Sequence, residues 1–117
     1  MKNLTRTSLQ NCNTDKVTGY SRTGKCAYFP NDSGAHIVCA VMTDSFLKFT
    51  KLRGNDLSTP RDGFPGLKSG DKWCICAGRW LEAYNADPKH APYIVGASTS
   101  VEFLRYISFQ KLKPYII

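Results

Sequence analysis

Two stretches of the chain place groups capable of covalent chemistry close together: His36-Ile-Val-Cys39 and Cys74-Ile-Cys76. On a strand, residues two apart project to one face, so Cys74 and Cys76 are expected to point the same way. Two such thiolates supply half of a tetrahedral zinc shell. A complete one needs further ligands from Cys39, Cys12, Cys26 or His36. With no Cys-x-x-Cys pair in the sequence, Cys39, Cys74 and Cys76 read first as buried apolar side chains and second as metal ligands, and no resident cofactor is expected. A disulfide between Cys74 and Cys76 is disfavoured, because that spacing strains its geometry. His36 and Cys39 invite a Cys–His nucleophile, but three residues apart on a regular strand puts them on opposite faces. The dyad therefore requires a bulge, or His36 paired with a cysteine from another strand such as Cys76. Catalytic candidates are thus His36, Cys39 and Cys76. His90 reads as a loop histidine without a role.

A second set of groups is polar: Asp15, Arg22, His36, Asn55, Asp56, Asp71 and Arg79. Brought together, these would make a pocket for a small anionic ligand. Arg79 at a helix start opposes the helix dipole, so a carboxylate, a carbonyl or an anionic ligand must hold it. Asp56 and Asp71, in the connector before it, are the candidate carboxylates. Trp73 and Trp80 read as core residues.

These groups need elements to position them. His36 to Met42 is a continuous apolar run with β-branched residues, which predicts a strand buried on both faces. Thr43 is an N-cap, Asp44 suits the first helical turn, and Phe46, Phe49 and Arg53 recur at helical spacing up to Gly54. Residues 55–71 are rich in proline and glycine and form a stiff connector. Lys72 to Ala77 predicts a second strand and Arg79 to Asn85 a second helix. Tyr93 to Ala97 predicts a third strand, with Ser98, Thr99 or Ser100 capping a helix from Val101 and Ser108 capping a last one ended by Pro114. Residues 1–35 read as largely irregular, an ordered loop region packed on the core. The expected fold is α+β: one compact two-layer domain over residues 1–117, a short sheet with helices packed on it.

Composition narrows the class. Of the 117 residues, 42% are hydrophobic and 21% charged, which is globular rather than disordered. No apolar run reaches membrane-spanning length, so no membrane partner is expected. The N-terminus lacks the apolar core of a secretory signal, so a cytoplasmic location with reduced cysteines is expected, and the odd count of five cysteines argues the same way. The formal net charge of +7 is concentrated in residues 1–30 and in the last fifteen. Nucleic acid or an acidic protein is a conceivable partner, but the basic residues stand singly and form no stripe. Nucleotide fingerprints, a Gly-x-Ser-x-Gly elbow and a His-Glu-x-x-His motif are absent.

The chain resembles a family of small bacterial proteins known as a domain of unknown function. The resemblance rests on Cys12-Asn-Thr-Asp15 with Thr18-Gly19, on His36 to Thr43 with Phe46-Leu47, and on Gly54-Asn-Asp-Leu-Ser-Thr-Pro60. It continues in Phe64-Pro-Gly-Leu67 with Gly70-Asp71, in Trp73-Cys-Ile-Cys76 and in Arg79-Trp80. Two positions depart from it: Lys16 stands where members often have proline, and Ala27 follows Cys26 where members tend to have paired cysteines. The resemblance implies a compact two-layer α+β domain and no established activity. Three functions follow as alternatives: a pocket for a small anionic ligand, a cysteine-based metal or thiol enzyme, and a basic binding module.

Overall fold

A computed structural model describes residues 1–16 and 18–117. The buried apolar run forms the central strand β1, Val38–Val41. Thr43 caps helix α1, Asp44–Leu52, its hydroxyl accepting from the Phe46 amide at 3.1 Å, and Gly54 closes the helix at φ +93°. Strand β2, Lys72–Ile75, leads directly into helix α2, Ala77–Ala86, and strand β3 is Tyr93–Ile94. The sheet is antiparallel in the order β2-β1-β3. Among the described residues, three α-helices and a three-stranded antiparallel sheet make the fold α+β. The core gathers Ile37, Val38, Met42, Phe46, Trp80 and Phe103, all at most 1% exposed. Trp80 sits among Tyr84, Phe103 and Tyr115, and its indole N–H donates to the Pro92 carbonyl at 3.0 Å.

The element bounds differ in places from the sequence reading, strand β3 stopping at Ile94 rather than Ala97. Helix α2 begins two residues early, at Ala77, so Cys76 is its N-cap residue and not part of the strand. Residues Val101–Arg105 form a 3-10 helix, capped by Ser100. Short helix α3, Phe109–Leu112, is capped by Ser108 as read, but Pro114 sits in the first turn of a further 3-10 helix, Lys113–Tyr115, where its missing N–H costs nothing.

The expectation of reduced cysteines is corrected: four of the five are paired, Cys12 with Cys39 and Cys26 with Cys74. Sequence spacing hid this because both pairs span loop to sheet, with partners 27 and 48 residues apart. Each closed loop is worth roughly 3–4 kcal/mol by restricting the unfolded chain. Cys39 and Cys74 are register partners on β1 and β2. Their amides turn away from each other, to the buried hydroxyls of Thr99 (2.9 Å) and Thr18 (3.0 Å). That makes a non-hydrogen-bonded pair, the type in which facing side chains come closest. The four sulfur-bearing residues form one buried cluster beside Val95. The loop between Cys12 and Cys26 is thereby held at both ends against the sheet.

Candidate functional site

The turn before β1 carries the residues of greatest interest. Asp32 is 6% exposed, and its carboxylate accepts from the Gly34 amide (3.2 Å) and the His36 amide (2.8 Å). The same carboxylate meets His36 Nδ1 at 2.9 and 3.1 Å from its two oxygens. The turn is tight: Ala35 has φ +47°, a left-handed conformation that costs a non-glycine residue roughly 1–2 kcal/mol. Strain of this kind collects where a side chain must be aimed. Gly34 lies under the imidazole, and a Cβ there would come within 2.7 Å of His36 Cε1. The ring is thus fixed by a carboxylate at Nδ1 and by a bare backbone beneath it.

With Nδ1 engaged by Asp32, the His36 ring shares its cleft with Cys76. Cys76 is the free cysteine among the described residues, half-buried at the start of α2. The Ala77 amide donates to Ala35 O at 3.0 Å, which ties the start of α2 to the histidine turn. His36 is pushed up from 6.5 to about 9, first by its hydrogen bond with Cys76 and then by Asp32, against the opposing effect of burial. Asp32 is also raised by burial, but hydrogen bonds from His36 and Gly34 outweigh this and hold it below the usual carboxylate range. Asp32, His36 and Cys76 form a carboxylate–imidazole–thiol series.

Cys76 and His36 line a cleft of about 920 Å³. The stapled loop supplies one wall through Asp15, Lys16, Tyr20 and Arg22, and the 55–65 connector supplies the other through Asn55, Leu57, Arg61 and Phe64. Gly19 is required in the first wall: at φ +93° a Cβ would collide with the Lys25 carbonyl. Trp73 forms part of the lining, with the Arg22 guanidinium 5.9 Å from its ring centroid. Lys16 is braced by Asp71 at 2.6 Å, and Arg61 donates to the Asp56 carbonyl at 2.7 Å.

Of the seven polar residues singled out from sequence, Asp15, Arg22, His36 and Asn55 line this cleft. Asp56 instead organises its own loop, its carboxylate lowered to about 2 by the Thr59 hydroxyl, which donates to it, and by the Thr59 and Ser58 amides. Asp71 is raised by burial but lowered on balance by Lys16 and the Lys68 amide. Arg79 pairs with neither of them: it donates to Glu82 and to the Arg53 carbonyl, both at 3.1 Å. Helix geometry explains this, since Glu82 lies one turn along α2. Cys39 and Cys74 sit in the disulfide cluster. His90 lies against Phe49, its Nδ1 2.8 Å from Ser45 Oγ. Trp80 is a core residue and Trp73 is a cleft residue.

Sequence reasoning did not single out Asp32, Lys16 or Arg61. Asp32 stands in Asn31-Asp32-Ser33-Gly34, which reads as an ordinary turn. The available signal was its spacing of four from His36 across a glycine. Lys16 and Arg61 carried no local signal, since each reaches the cleft only through the fold.

Residues 2–116 match the family described as an uncharacterized protein conserved in bacteria, DUF2237. The chain belongs to this DUF2237 family. A search of curated proteins found no match. The family description carries no activity, so the function of this member must be argued from its cleft. Among the described residues no helix is long and apolar enough to cross a membrane.

Proposed function

We propose that this DUF2237 protein is a thiol enzyme acting on a small anionic substrate. The supporting observation is the His36 ring, set between the Asp32 carboxylate and Cys76 at a cleft that also presents Lys16, Arg22 and Arg61. In this reading Cys76 is the nucleophile. Its sulfur adds to an electrophilic carbonyl carbon, the leaving group departs with the proton held by His36, and water then cleaves the resulting thioester. Asp32 keeps the imidazole oriented and favours its protonated form. Lys16, Arg22 and Arg61 attract a carboxylate or phosphate on the substrate, and Tyr20, Phe64 and Trp73 provide apolar contact. A binding pocket without chemistry would use the same basic lining, but it has no need of a thiol held against an oriented histidine.

The test is the rate at which iodoacetamide alkylates Cys76 at neutral pH, followed by mass of the modified peptide. The expected rate exceeds that of His36→Asn by about tenfold or more, the usual scale of acid–base assistance. Iodoacetate, which is anionic, should gain over iodoacetamide in the native chain and lose that gain in Arg61→Gln. Equal alkylation rates for the native chain and His36→Asn would remove the thiol-enzyme reading. Loss of the iodoacetate preference alone would remove only the anionic substrate.

A further inference from the structure

The four paired cysteines raise a question separate from the cleft. Two disulfides have no reason to touch each other, yet here they meet. The bonded sulfurs of Cys12 and Cys39 and the sulfur of Cys26, which belongs to the other pair, all lie within 4.8 Å of one another, and Cys74 is bonded to Cys26. They come from four places: both ends of the 12–26 loop, the central strand and its neighbour. All four residues are at most 6% exposed. A tetrahedral zinc–thiolate site, with zinc–sulfur bonds of about 2.3 Å, needs sulfurs roughly 3.8 Å apart, a separation that the bonded sulfurs must open to on reduction and that lies within the 4.8 Å span of the cluster.

We propose that the reduced chain holds one zinc-type divalent cation on Cys12, Cys26, Cys39 and Cys74. In a reducing compartment a dithiol donor delivers two electrons and two protons to each disulfide and is itself oxidised. Four thiols result, and cation binding releases their four protons. The same loop is then clamped to the same strands by metal in place of sulfur–sulfur bonds. Surrounding charge suits the dianionic site, because the 12–26 loop carries Lys16, Arg22 and Lys25 against Asp15. Sequence alone does not show the site, since its ligands lie 12 or more residues apart and form no Cys-x-x-Cys pair.

The experiment uses the full chain, reduced without oxygen by a phosphine and titrated with cobalt(II) as a spectroscopic stand-in for zinc. One cobalt per chain should bind with the intense visible bands of tetrahedral thiolate coordination, and zinc should displace it. Cys39→Ser and Cys74→Ser should each weaken binding by about 100-fold or more, whereas Cys76→Ser should leave the bands unchanged. If reduction costs helical structure, zinc should restore the far-ultraviolet circular dichroism. Three results would overturn the proposal: only the pale spectrum of hydrated cobalt, bands that require Cys76, or a reduced chain that zinc fails to refold. None of them bears on the reactivity of Cys76, so this proposal and the thiol-enzyme reading stand or fall separately.

Discussion

Five cysteines within one small fold have two different fates. Cys12, Cys26, Cys39 and Cys74 are sealed in an apolar cluster where the sheet meets the N-terminal loop, and their role is to hold that loop. Cys76 lies two residues beyond Cys74, yet it is unpaired, only half-buried, and shares the cleft with His36. What separates them is the end of the strand. Cys74 lies within β2, with its side chain turned to Cys26. One residue after the strand, Cys76 has passed into the start of a helix. The same side chain is a staple in one place and, in the reading proposed above, a nucleophile in the other. The staple also serves the cleft, since the loop it fixes is one of its walls.

That contrast can be broken most severely at the staple. In the oxidised chain, Cys39→Ser should destabilise by roughly 3–4 kcal/mol through loss of a closed loop. A shift of the urea unfolding midpoint measures it. Cys76→Ser, by comparison, should change stability by less than about 1 kcal/mol, because it removes no cross-link and the residue is only half-buried.

A second substitution separates positioning from folding. Gly34→Ala places a methyl group against the imidazole without demanding an unusual backbone conformation. Alkylation of Cys76 should slow by about tenfold as the ring is displaced, while the unfolding midpoint stays close to native. Equal losses in rate and stability would mean that the turn serves the fold and not the thiol.

A third prediction concerns pH. The folded His36 pKa lies above its ordinary 6.5, so its protonated form is favoured by folding. Its contribution to stability is complete below 6.5 and is lost as pH rises through about 9. Native protein should weaken over that interval, and His36→Asn should lack this component of the decline. The smallest effect is expected at Arg61, whose guanidinium is over half exposed. Arg61→Gln should leave stability within about 0.5 kcal/mol of native and alter only the preference for anionic reagents.

Much of the fold was legible in local pattern. The apolar run 36–42, the Thr43 cap and the Gly54 stop are all short-range signals, and they located β1 and α1. The serine caps at 100 and 108 were equally local. The start of α2 was not, because Cys76 has no side-chain capping bond to announce it. The disulfides escaped because they join residues distant in sequence, and a fifth cysteine made the count look unpaired. The site was half legible. Pairing of His36 with Cys76 across strands was one reading left open by the face argument. Asp32 passed as turn residue, and that is also what it is: the same carboxylate that caps the turn amides holds the imidazole. Arg79 was misassigned to distant acids because its partner, Glu82, lies within its own helix.

The account depends on Asp32, His36 and Cys76 acting as one coupled unit. Titration of the His36 ring protons by NMR, in native protein and in Cys76→Ser, tests this most directly. An inflection near 9 in the native chain, falling well toward 6.5 in Cys76→Ser and by less in Asp32→Asn, is the predicted result. A native inflection near 6.5, or one near 9 that is indifferent to Cys76→Ser, would contradict it.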